Sequence, residues 1–206
     1  AVGRRGTVAL VEILRVVAAP SFVTFQRNAE RASFTNSMLA AINSARGEAM
    51  KRGRYAMLTP TDDTNWNSGW KAFVSFNATT RTYDSTQDLI VFTREAAPSY
   101  LTITSNGRAD ASPPYIMFDA SGYTKKKDGS PGNLTFKIAR NDVATSQVDA
   151  ETRLLIISVT GRARICKPNS ATDALCNTSS TLCKQGQQVT PRRIRAEAEK
   201  GLAATA

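Results

Sequence analysis

The chain has 206 residues, with 27 lysines and arginines against 17 aspartates and glutamates and no histidine, so its formal net charge at pH 7 is +10. This length holds one domain with appendages and a real core, and an apolar fraction of 41% excludes global disorder. Without histidine the chain lacks the commonest general base and metal ligand at neutral pH, which makes it a poor candidate for the usual hydrolases and metalloenzymes, whereas its charge points to polyanions: nucleic acid, an anionic membrane surface or an acidic partner.

The amino end places Arg4-Arg5-Gly6 before an apolar stretch that begins at Thr7 and is interrupted by Glu12, Arg15 and Pro20. A spanning helix needs about 20 largely apolar residues, and a charge at its centre costs roughly 2.5–3.5 kcal/mol on insertion. The stretch is therefore a marginal span, and the full chain is expected to partition weakly into a membrane. Over residues 21–54 the pattern turns helical. Phe34, Met38, Ala41, Ile42, Ala45 and Ala49 recur at three- and four-residue intervals, with Arg27, Glu30, Arg46, Glu48 and Lys51 off that stripe.

Beyond Arg54 the chain breaks into short β-like runs at residues 55–58, 71–76, 88–93, 100–104, 115–118, 134–139, 153–159 and 163–166. Turn signals separate them, among them Ser105-Asn106-Gly107, Ser121-Gly122 and Asp128-Gly129-Ser130-Pro131-Gly132. One long helix followed by mostly antiparallel strands is an α+β arrangement. Trp66 and Trp70 flank a turn, where they either pack a loop onto the sheet or offer stacking platforms for bases. Lys125-Lys126-Lys127 falls on an expected hairpin tip, as a solvated loop or a phosphate contact.

Gly161-Arg162-Ala163-Arg164 leads into the last expected strand, with a glycine followed by two arginines on alternate positions. Side chains two apart in a strand share a face at about 6.5–7 Å, so Arg162 and Arg164 point the same way. They can grip neighbouring phosphates, or they can simply keep a sheet edge from pairing with other strands. Cys166, Cys176 and Cys183 lie in a polar segment whose spacings do not suit a zinc knuckle, so a small disulfide loop is expected. Cys166 ends the last strand and Cys176 follows a short loop; these two are expected to pair, leaving Cys183 spare. Lys167 and the cluster Arg192, Arg193 and Arg195 extend the basic character into the tail. Asp62-Asp63 lacks the histidine, metal-ligand set or glycine loop that would make it catalytic, and no cofactor or metal is expected.

Several of these segments carry a family resemblance. Arg4-Arg5-Gly6 before an apolar stretch with an early glutamate resembles a class III prepilin leader. Ala45-Arg46-Gly47-Glu48-Ala49-Met50-Lys51-Arg52 is similar to the helix end of FimT/GspH-type minor pilins and pseudopilins. Asn65-Trp66-Asn67-Ser68-Gly69-Trp70-Lys71-Ala72-Phe73-Val74 resembles their D-W-x-x-G-W-x-x-F segment, and Tyr115-Ile116-Met117-Phe118-Asp119-Ala120-Ser121-Gly122 their I-x-F-x-x-x-G strand and turn. Gly161-Arg162-Ala163-Arg164 matches the G-R-x-R element of the FimT branch.

The resemblance implies a pilin-like fold: a leader and shortened membrane-helix segment over residues 1–25, a periplasmic domain over 26–167 and a polar basic tail over 168–206. It implies cleavage by prepilin peptidase after Gly6, with Thr7 at the mature terminus, its methylation, and Glu12 as the early acidic residue. Anchoring in the inner membrane and assembly with other major and minor pilins follow from the same likeness. The FimT branch further implies binding of double-stranded DNA for natural transformation, with Arg162 and Arg164 central. The GspH branch implies a structural place in a type II secretion pseudopilus. Neither is enzymatic.

Overall fold

The computed structural model describes residues 3–77, 82–106, 109, 111–168 and 176, with side chains from Phe22 onward. Helix α1 (Gly3–Arg52) leads into the strands β1 (Tyr55–Pro60), β2 (Trp70–Ser75), β3 (Leu89–Arg94), β4 (Leu101–Ser105), β5 (Ile116–Phe118), β6 (Leu134–Arg140), β7 (Thr152–Ile157) and β8 (Ala163–Cys166). Each expected β-like run corresponds to one of these strands, shifted by at most two residues at an end. The expected antiparallel strands form two sheets, four strands in the order β3-β2-β1-β5 and four in the order β4-β6-β7-β8, with every pairing antiparallel.

The apolar stripe of α1 explains why two sheets form. Phe34, Met38, Ala41, Ile42, Ala45 and Ala49 are all buried, in one core that also holds Ala56, Leu58, Ala72 and Val74 of the first sheet and Leu101, Phe136, Leu155 and Ile157 of the second. Alanines at Ala41, Ala45 and Ala49 keep the stripe thin enough for strands to approach from either side. The helix also begins well before Ser21 and continues through Pro20. A proline removes one helical hydrogen bond, and the turns on either side keep theirs. Among the described residues no helix is long and apolar enough to cross a membrane.

Trp66 and Trp70 belong to this core and are not surface platforms, being 3% and 0% exposed. Trp66 meets Phe136 edge-on with centroids 4.9 Å apart and donates its indole N–H to the carbonyl of Ala109 at 2.7 Å, while Trp70 meets Phe34 at 5.0 Å. Between the tryptophans, in a 3-10 turn (Trp66–Ser68), Asn67 works as a strand mimic. Its Oδ1 accepts from the N–H of Ile103 at 2.9 Å, its Nδ2 reaches the carbonyl of Leu101 at 3.5 Å, and its own carbonyl accepts from Ala97 at 2.8 Å. One side chain thus closes part of the outer edge of β4 and ties the two sheets together.

The middle of α1 is fastened to the second sheet by charge. Arg140, almost wholly buried, grips Asp142 with two bonds of 2.8 Å and reaches Asn28 Oδ1 at 3.2 Å. Arg27 also pairs with Asp142, Arg31 pairs with Glu151 at 2.5 Å, and the hydroxyl of Tyr100 donates to Glu30. Hydrogen bonding to Arg140 is the largest of the effects that hold the Asp142 carboxyl down at about 2. Burial, and next the nearby Arg153, push the Arg31 guanidinium below its usual range.

The Asp142 shift carries a pH dependence. A carboxyl whose folded pKa lies below the unfolded value of about 3.9 stabilises the fold above that value and loses this contribution as pH falls towards its folded pKa. Here the window runs from about pH 4 down to about pH 2, and because the carboxyl is partly screened by solvent the contribution is on the order of 1 kcal/mol. Thermal melts followed by circular dichroism should show stability falling through that window. Asp142→Asn should flatten the fall and lower stability at pH 7 by about 3 kcal/mol, because Arg140 stays buried without its counter-charge.

Candidate nucleic-acid interface

Beyond the charged clamp, α1 ends against two turns, one from each sheet. The first follows β5: the N–H of Gly122 donates to the carbonyl of Asp119 at 2.9 Å, and Asp119 Oδ1 accepts from the N–H groups of Ser121 at 2.9 Å and Tyr123 at 3.0 Å. The second joins β7 to β8: the N–H of Gly161 donates to the carbonyl of Ser158 at 2.9 Å, and the N–H of Ser158 to the carbonyl of Arg162 at 3.0 Å. Arg46 binds both, its Nε donating to the carbonyl of Gly122 at 2.9 Å and its Nη2 to that of Thr160 at 3.4 Å. Thr124, 1% exposed, adds a second fastening: its N–H donates to the carbonyl of Val159 at 3.0 Å, and its hydroxyl lies 3.1 Å from the carbonyl of Ser158.

The turns touch so closely that only glycine fits at the contact. Gly161 has φ +78°, and a Cβ there would stand 1.9 Å from the Gly122 carbonyl oxygen and 2.7 Å from Arg46 Nε. Gly122 has φ +75°, and its Cβ would fall 2.7 Å from Met50 Sδ. The helix end, the turn after β5 and the turn before β8 therefore form one junction, although they are far apart in sequence.

Arg162 and Arg164 emerge from this junction. Ala163 and Ile165 pack against the core, so the alternating positions project outward, and both arginines are exposed. Arg164 lies opposite Ile156 in the β7–β8 register and thus on the outer face of the second sheet. Lys167, just past the strand, is exposed as well. The bond between Cys166 and Cys176, with Cα atoms 5.7 Å apart, is the expected pairing. Cys183 and the cluster Arg192, Arg193 and Arg195 lie outside the described residues. The helical backbone runs through Gly6, Thr7 and Glu12, whose side chains also lie outside them.

The lysine hairpin is less open than its sequence suggests. Lys125 faces Asp119 at 3.7 Å, and Lys127 sits over the ring of Tyr115 at 5.1 Å from its centroid. Sequence reasoning missed the part played by Arg46, which it placed simply off the apolar stripe. The helix-end segment around it was visible, but nothing local shows that it meets Gly122 and Gly161.

A long N-terminal helix on antiparallel sheets, with its end locked over two glycine turns, defines a pilin-like subunit. The family model described as type II transport protein GspH matches residues 35–161, and the chain belongs to this family of minor pilins and pseudopilins. In structure it is similar to the type IV minor pilin FimU of Pseudomonas aeruginosa in two crystal forms. The TM-scores are 0.50 and 0.53 at 20% identity, over 68% and 71% of this chain and 98% of FimU. The minor pseudopilin EpsH of the type 2 secretion system of Vibrio cholerae aligns at 14% identity with a TM-score of 0.44, over 68% of this chain and 99% of EpsH. No curated protein sequence matches.

The junction makes a differential prediction. Gly161→Ala combines a left-handed backbone with a clash against a carbonyl and should cost about 3 kcal/mol or more, read as a drop in the urea midpoint. Gly129→Ala has a similar backbone, φ +84°, but open space around it, and should cost only about 1–2 kcal/mol.

Proposed function

We propose that this chain is a minor pilin of a type IV pilus, anchored at the inner membrane with its domain in the periplasm, that binds double-stranded DNA without sequence preference for uptake in natural transformation. The observation that carries this reading is the exposure of Arg164 on the outer face of the edge strand β8 and of Arg162 on the turn that leads into it, a turn held by Arg46 and Gly161. Two arginines on a rigid backbone bind a phosphate without the added cost of ordering a loop, and the planar guanidinium fork suits its oxygens. Lys167 and the tail arginines Arg192, Arg193 and Arg195 add charge of the same sign, in keeping with the net +10.

Assembly with other pilins uses a different surface. Phe22 and Phe25 on α1 are 67% and 71% exposed, and among the described side chains of the helix the first buried one is Arg31. Apolar side chains on a projecting helix suit packing against the helices of neighbouring subunits. Processing by prepilin peptidase at Gly6 would precede that assembly. A purely structural pseudopilin of a type II secretion system, or a subunit that initiates pilus assembly, would use the helix in the same way and leave the arginines without a ligand.

A salt titration of duplex binding separates the two. Phosphate contacts position a protein without reading bases, so binding should be independent of sequence and weaken steeply with salt. Replacing Arg162 and Arg164 with alanine should flatten the logarithmic salt slope by roughly one to two units while leaving the melting temperature unchanged. A double variant that folds normally and binds duplex like the parent would leave the structural pseudopilin as the better account.

A further inference from the structure

The two turns that meet at Arg46 bring more than charge to the surface. Tyr123 follows Gly122 and is 45% exposed. Its backbone is fixed on both sides, the N–H donating to Asp119 Oδ1 at 3.0 Å and the carbonyl accepting from the N–H of Asp119 at 3.0 Å. The next residue, Thr124, is bonded to the turn that carries Arg162, and Gly122 and Gly161 are in contact. An exposed aromatic ring is thus built onto the same rigid junction as the arginines. Val159 and Met50, 38% and 44% exposed, extend the apolar ground beside it. The carboxylate in this neighbourhood, Asp119, is occupied by the N–H groups of Ser121 and Tyr123 and by Lys125.

We infer that Tyr123 is a base-stacking residue beside the Arg162 and Arg164 phosphate site, so that this surface, besides holding duplex by its phosphates, gains added affinity for single-stranded DNA through its unpaired bases. The inference rests on the DNA-binding reading of the arginines and adds a source of discrimination to it. Phosphate contacts alone favour the duplex, whose backbone charge is denser, and give a single strand no advantage. A flat aromatic surface next to cationic groups does give one, because only unpaired bases expose a π-face for stacking. The tryptophans that the sequence offered for this role are buried, and among the described aromatic residues exposed on the β domain Phe76 is already covered by the Arg54 guanidinium. Tyr123 is the exposed ring that lies at the arginine junction.

The test compares a labelled short oligothymidine with a blunt duplex of equal length, by fluorescence anisotropy at one salt concentration, using the full chain. Tyr123→Leu keeps apolar bulk but removes the ring and should weaken single-strand binding roughly tenfold, within a range of about 5- to 100-fold, with duplex binding changed by less than about twofold. Tyr123→Phe should bind both like the parent. Replacing Arg162 and Arg164 together should weaken both ligands. A Tyr123→Leu chain that melts like the parent and binds the single strand equally well overturns the stacking role and leaves the phosphate site standing. Unchanged binding in the arginine variant, by contrast, overturns the phosphate site itself.

Discussion

The guanidinium of Arg46 joins the last turns of the helix to one turn from each sheet. It donates to the turn after β5 in one sheet and to the turn before β8 in the other, and it can do so because Gly122 and Gly161 let two backbones touch. A planar, permanently charged donor suits the position: its fork serves two carbonyl acceptors that diverge from one another, which a lysine ammonium would satisfy less rigidly. The orientation of β8 follows from this contact, and with it the direction in which Arg162 and Arg164 project.

Charge is thus used in two ways along one helix. Around Arg31 and Arg140 it is turned inward, paired with Asp142 and Glu151 and largely withdrawn from water. Such pairs rarely stabilise a fold more than well-packed apolar groups would, but they are costly to break and so fix one docking geometry. At the far end of the helix Arg162 and Arg164 are exposed to solvent. The net charge alone does not distinguish these arginines from the buried ones.

Much of the architecture was legible in the sequence because it rests on local periodicity. The stripe from Phe34 to Ala49 has the helical repeat, and each strand has its own run bounded by turn residues. The split into two sheets was not legible, since it depends on a helix thin enough, at Ala41 and Ala45, to be packed from two directions. The sequence marks Gly161 and the arginines after it, yet the reason for the glycine lies at Gly122, which no spacing rule connects to it. The tryptophans show the reverse failure. Trp66 and Trp70 read as either core or platform, and only the closure of the second sheet over Trp66 through Phe136 decides the matter. Tyr123 carried no signal at all, because exposure is a property of the finished fold.

The continuity of α1 has a mechanical consequence. At 50 residues the helix is about 75 Å long, and it is attached to the β domain from the ionic clamp near Arg31, along the buried stripe, to the glycine junction near Arg46. A pull along the helix axis loads these attachments in shear. The clamp, nearer the pulled end, bears the load first, and the core stripe and the junction share what passes it. A sideways pull at the same end would act through a long lever and peel the contacts one at a time. The subunit should therefore resist axial tension far better than bending, with the Arg27, Arg31 and Arg140 pairs as the first to yield under a transverse load.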